Sequence, residues 1–158
     1  KLPRFQFQDQ FGDLVDIYDF ADQGKYVLIE ISAAWCSPCH TIADWLTFGN
    51  DQISNNRWWK SEYSKIKNLV ENRDVYFINI QFEDAYKGNS SLESLIEWHS
   101  QYPDENVPIL SDSSKLFHSW VKPTGLPTTI LLNDKLEIVE YSYRGINAAF
   151  DRLLKVHK

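Results

Sequence analysis

Cys36 and Cys39 are the only cysteines in the chain, and they lie two residues apart in Trp35-Cys36-Ser37-Pro38-Cys39-His40. Cysteine used nowhere else but in a C-x-x-C points to thiol chemistry. An apolar run, Val27-Leu28-Ile29-Glu30-Ile31, lies just upstream, and a helix-compatible segment begins at the motif. A helix start leaves backbone N–H groups unpaired and carries partial positive charge. A sulfur held there is favoured as thiolate, the nucleophilic form. Cys36 is expected at the exposed helix start, as the attacking thiol. Cys39, one turn further in, is close enough to form a disulfide with Cys36 or to resolve a mixed disulfide on it. Pro38 falls in the first turn, where its missing N–H costs little, and Trp35 is expected to form an apolar wall beside the sulfurs.

Two other uses of the pair stay open at this level. A structural disulfide closing so short a loop would constrain little chain. A zinc site would need a second Cys or His pair, and His40, His99, His118 and His157 show no ligand spacing.

The elements that must hold the motif follow from the rest of the 158 residues, enough for one domain spanning 1–158 with a full core. The composition, 43% hydrophobic and 15% aromatic, is that of a globular chain. A net charge of −6 without a basic stripe argues against nucleic acid as a partner. No apolar run is long enough to span a membrane. The start at Lys1 and the lack of any methionine fit a processed or trimmed product that has lost a signal or lipid anchor.

Phe5 to Phe7 and Leu14 to Ile17, joined by a turn at Asp9 to Asp13, read as a hairpin. Val27 to Ala33 and Val75 to Phe82 read as buried strands. The helix opened by the motif should stop near Gly49-Asn50. Trp59, Tyr63, Ile66 and Val70 form one helical stripe within a tryptophan-rich insertion (47–74), most simply a helix packed on the core. Ser90 with Glu93 suggests a capping box for a helix with Leu92, Leu95, Ile96 and His99 on one side. Val107 to Leu110 is a short strand, with Pro108 suggesting an edge or an end. Asp112 can cap a helix carrying Leu116, Phe117, Trp120 and Val121. Thr129 to Leu132 and Leu136 to Glu140 pair as an antiparallel hairpin, and Asn147 is placed to cap a last helix. The fold class is α/β: a mixed central sheet with helices on both faces, an N-terminal β-hairpin and helical insertions.

With these residues in place the chain resembles the thioredoxin superfamily, and more narrowly its TlpA/ResA/DsbE-like branch. The resemblance is carried by the strand and motif from Val27 to Cys39 and by Gly125-Leu126-Pro127-Thr128-Thr129. The N-terminal hairpin and Val107 to Asp112 add to it. It implies a thioredoxin-like fold and a redox-active Cys36–Cys39 disulfide in place of any cofactor, with no metal. It implies Cys36 as nucleophile, Cys39 as resolving thiol, and Pro127 as a cis-proline facing the disulfide. The backbone of Leu126 would pair with a substrate peptide, beside Trp35 and Pro38. Glu30 interrupts the most apolar run, six positions before Cys36. The resemblance implies a carboxyl beneath the disulfide that takes the Cys39 proton; a structural hydrogen bond or a tilt to solvent is the plainer alternative. Glu stands where Asp is usual, and no lysine lies in Tyr76 to Asn79. His40 reads as a solvated first-turn residue, Glu83 and Asp84 as a hydrophilic loop.

The resemblance thus implies a monomeric, extracytoplasmic protein-disulfide oxidoreductase acting on protein thiols and disulfides, in the reducing direction, recharged by a membrane-bound redox partner. An oxidant or isomerase of the same fold, or a C-x-x-C module binding a soft metal ion, is the alternative. A peroxidase would need Pro-x-x-x-Thr-x-x-Cys, which the residues before Cys36 do not supply.

Overall fold

The computed structural model describes residues 1–157. A seven-stranded mixed sheet runs in the order β2-β1-β5-β4-β3-β6-β7. The strands are β1 (Gln6–Asp9), β2 (Leu14–Asp16), β3 (Val27–Ser32), β4 (Tyr76–Gln81), β5 (Ile109–Ser111), β6 (Thr128–Leu132) and β7 (Ile138–Ser142). β3, β4 and β5 are mutually parallel; β6 pairs antiparallel with β3 and β7, and β1 joins antiparallel to β5. β3 therefore lies between β4 and β6, and all six of its residues are buried. That explains its near-continuous apolar run, since both faces of an inner parallel strand are covered.

The helices are α1 (Ser37–Phe48), α2 (Ser64–Glu71), α3 (Leu92–Gln101), α4 (Leu116–Val121) and α5 (Asn147–Val156). One face of the sheet, through Leu28, Phe77 and Leu131, packs on α1, α2 and α5. The other, through Ile29, Ile31, Ile78, Ile80 and Ile130, packs on Phe117 of α4 and on Leu2, Phe7 and Ile17.

Several local expectations are corrected. In the insertion the helix begins at Ser64, after a 3-10 turn at Ser61–Tyr63, so Trp58 and Trp59 precede it. The capping box at α3 joins Ser91 to Ser94, one residue later than Ser90 and Glu93. α3 buries Leu95 and Trp98, three residues apart on one stripe, and leaves Ile96 exposed beside it. Leu116 and Trp120 of α4 are exposed, and Phe117 is its buried anchor. Asp112 does meet the start of α4, accepting from the backbone N–H of Phe117 (3.1 Å) and His118 (2.8 Å). Of the two readings of Pro108 an end is the one found, since it stands directly before β5, an inner strand rather than an edge. Asn147 is the first residue of α5 rather than its cap. Its side chain instead donates to the Trp58 carbonyl (2.7 Å) and the Tyr63 hydroxyl (2.9 Å), tying the insertion to α5.

Candidate active site

β3 ends at Ser32 and the chain turns through Ala33 to Trp35 into α1. Cys36 is the N-cap of that helix. It has extended backbone, and its sulfur accepts the Cys39 N–H at 3.3 Å. The sulfur thus occupies the position where a helix start presents an unpaired donor. Cys36 and Cys39 form a disulfide with Cα atoms 5.3 Å apart. Pro38 lies in the first turn, and Gly49, in left-handed backbone at φ 72°, ends the helix.

Cys36 does not sit in the open, as the sequence suggested. Only 2% of it is exposed, and Cys39 is fully buried. Both sulfur-bearing residues belong to the core that continues under β3, with Leu126 packed against it. The pair lies at the floor of a site whose surface is made by its neighbours.

Those neighbours come from the loop before β6, where the Leu126–Pro127 peptide is cis. Leu126 lines two hollows. One, of about 180 Å³, it shares with Trp35, Phe82 and His118. The other, of about 360 Å³, it shares with Pro38, Ile42, Trp58 and Pro127. The Leu126–Pro127 segment therefore stands between Trp35 on one side of the motif and Pro38 on the other. The loop is laced to the connection between β7 and α5. Gly145 N–H donates to the Pro127 carbonyl (2.6 Å), and the Thr128 hydroxyl donates to the carbonyls of Gly125 (2.7 Å) and Tyr143 (3.0 Å).

Trp35 is 39% exposed, lines the smaller hollow and has a polar anchor. Its indole N–H donates to Glu83 at 2.9 Å, and the Lys87 ammonium lies 5.2 Å from its ring centre. Glu83 also pairs with Lys115 at 3.0 Å. Its partial burial by itself raises the carboxyl's pKa, but the hydrogen bonds from Lys115 and Trp35 outweigh this and hold it below the usual value. Glu83 is therefore the residue that fixes Trp35, not merely part of a hydrophilic loop. Glu83→Ala is expected to free the indole and cost about 1 kcal/mol, the scale of one hydrogen bond and a partly exposed ion pair. Urea unfolding and Trp35 fluorescence anisotropy, with Trp35→Phe as control, measure the two effects; unchanged anisotropy would refute the anchoring role.

His40 is not a solvated residue either. One ring nitrogen lies 2.7 Å from the Ala34 carbonyl and the other 2.7 Å from the Tyr102 hydroxyl. A carbonyl only accepts, so Nε2 donates to Ala34, while Nδ1 is paired with the Tyr102 hydroxyl. The ring also packs 4.4 Å from that of Trp98, clamping α1 to α3.

Glu30 is buried, not tipped to solvent, and its Oε2 has no hydrogen-bond partner. Removal from water pushes its carboxyl up to about 8. Register places it between Asn79 of β4 and Thr129 of β6. It lines a cavity of about 10 Å³ beneath α1 with Ala43, Asn79, Tyr102 and Asp104. That is room for roughly one water molecule. Ala43 is one helical turn beyond Cys39, so the cavity lies under the same helix that carries the cysteines. Asp104, half-buried on the same cavity, is likewise pushed up by burial. Among the described residues no three His, Cys, Asp or Glu side chains converge as a metal site requires. Nor is any helix long and apolar enough to cross a membrane.

A dithiol capping a helix opposite a cis-proline loop, on a mixed sheet of this order, defines a thioredoxin-like fold. No family model and no curated protein matches the sequence. Solved structures match the fold over nearly its whole length. The pneumococcal exposed lipoprotein thioredoxin of Streptococcus pneumoniae is 17% identical, with 98% of this chain and 100% of that one covered and a TM-score of 0.66. The thioredoxin domain of a Bacteroides vulgatus thiol-disulfide oxidoreductase is 20% identical, with 99% and 94% covered and a TM-score of 0.66. A secreted Mycobacterium tuberculosis disulfide oxidoreductase, described as homologous to DsbE of E. coli, is 16% identical, with 94% and 90% covered and a TM-score of 0.60. At these identities the likeness is one of fold.

Proposed function

We propose that this protein is a thiol–disulfide oxidoreductase that reduces disulfides of protein substrates outside the cytoplasm. The observation that carries the reading is the Cys36–Cys39 disulfide at the start of α1, with Leu126–Pro127 between the hollows on either side of it. In the reduced protein the Cys36 thiolate attacks a substrate disulfide. One substrate sulfur becomes bonded to Cys36 and the other leaves as thiolate, taking a proton from solvent. Cys39 then attacks the Cys36 sulfur. The mixed disulfide breaks, the second substrate sulfur leaves, and the protein is left oxidised. Two electrons and two protons pass to the substrate.

Cys39 must lose its proton before it attacks, and Glu30 is the acceptor in this scheme. With its carboxyl pushed up to about 8, the fraction ionised at neutral pH matches an ordinary thiol in proton affinity. A water-sized cavity joins it to half-buried Asp104, a way out for the proton. The free backbone edge at Leu126 is where a substrate strand would pair. Neighbours described as an exposed lipoprotein and as secreted support an extracytoplasmic setting. There a membrane-bound partner would return electrons to a protein working as a monomer.

Insulin reduction driven by dithiothreitol tests the reading. Catalysed precipitation of the insulin B chain is the expected result; a rate no faster than dithiothreitol alone would overturn it. The reduction potential of the pair fixes the direction, a strongly reducing value being expected of a reductant.

A further inference from the structure

The larger hollow beside Pro127 has a chemistry of its own. Ile42 and Ile146 give it apolar walls, and Trp58 of the insertion closes it. Trp58 is held there by the bond from Asn147 to its carbonyl. Arg144 forms the one charged part of the lining. A Cβ at Gly125 would lie 2.7–2.8 Å from Nε, Cδ and Cγ of Arg144. The arginine stem therefore lies flat across the glycine backbone, immediately before Leu126, and a side chain at 125 would lift it off. Arg4, Lys60, Lys67, Lys115 and Lys135 are in ion pairs, whereas Arg144 has none among the described residues. In a chain of net charge −6 this leaves an unpaired, exposed guanidinium at the mouth of an apolar groove.

We infer that this groove selects cysteine-bearing segments in which an apolar residue, seated among Ile42, Trp58 and Ile146, is accompanied by an acidic one whose carboxylate pairs with Arg144. A guanidinium offers a planar fork of donors matched to a carboxylate. The groove withdraws the pair partly from water, and Arg144 is the one charged residue that lines it. The inference rests on the proposed exchange activity and adds the substrate class.

The test uses the reduced protein and short peptides whose single cysteine is blocked by thionitrobenzoate. Cys36 attacks the peptide sulfur, the S–S bond breaks, and the coloured thiolate is released as the mixed disulfide forms. Each peptide carries a leucine, and a glutamate, alanine or lysine is moved through the two positions on either side of the cysteine. At about 0.1 M salt, glutamate at its best position should raise kcat/KM about fivefold over alanine, the scale of a partly exposed ion pair. Arg144→Ala should bring that ratio to about one, and Arg144→Glu should reverse it in favour of lysine. Gly125→Ala, whose methyl group displaces the arginine stem, should lower it. A ratio that survives Arg144→Ala, or a wild-type ratio of about one, would overturn the inference. If no peptide reacts faster than with Cys36 and Cys39 both replaced by alanine, the oxidoreductase reading itself fails.

Discussion

Cys36→Ala should abolish insulin reduction, whereas Cys39→Ser should leave the first attack intact and stall the cycle as a covalent complex. The difference follows from where the two sulfurs stand. Cys36 caps α1, accepts the Cys39 N–H and lies in the chain between Trp35 and Pro38, which line the two hollows; Cys39 is fully buried. Removing the nucleophile leaves no sulfur that a substrate can reach, so turnover should drop to the uncatalysed rate. Removing the resolving thiol leaves the mixed disulfide without an intramolecular exit, and it should accumulate on non-reducing gels. Equal losses in both variants with no trapped species would contradict this division of roles.

Glu30→Gln should change both stability and rate. Glu30 is fully buried and its carboxyl is raised from an ordinary 4.5 to about 8 by desolvation alone. Below about pH 4.5 the acid is protonated folded or unfolded and contributes no pH dependence. Between about 4.5 and 8 the folded state holds a proton that the unfolded state has released, so stability falls as pH rises. The slope is about 1.4 kcal/mol per pH unit, on the order of 4 kcal/mol between pH 5 and pH 8. Glutamine has no proton to hold. With the disulfide kept oxidised, the stability of Glu30→Gln relative to wild type should grow by that amount across this interval in urea titrations. Parallel curves would mean that the side chain is not carried as a buried acid. In turnover at neutral pH the same variant should be roughly 100-fold slower, the usual scale for loss of a positioned base. Mixed disulfide should build up as it does with Cys39→Ser.

What the sequence revealed and what it hid divide along the range of the interactions. The strand into the C-x-x-C, the proline in the first turn and Gly49 at the end of α1 are contiguous, so type and spacing carry them. Leu126–Pro127 was readable as a short motif. Glu30 stood out because a charge in an apolar run is conspicuous. Three contributors could not be read in the same way. Glu83 acts by meeting Trp35 and Lys115 across a gap of 48 and 32 residues. Trp58 and Arg144 share a groove only because Asn147 draws the insertion to α5 and the Thr128 hydroxyl joins the two loops. α3 was misjudged because Ile96 and Trp98 are both apolar and either could carry the burial; packing against the core selects the stripe of Leu95, Trp98 and Tyr102.

The near-complete enclosure of Cys36 bears on which reactants it meets. With 2% of the residue exposed, a small free thiol colliding at random finds a narrow target, whereas a chain whose backbone ran along Leu126 would deliver its sulfur from within the cleft. Discrimination is then kinetic as well as energetic. Docking then favours exchange with a bound chain over exchange with a small thiol, which has to be supplied in excess to recycle the protein.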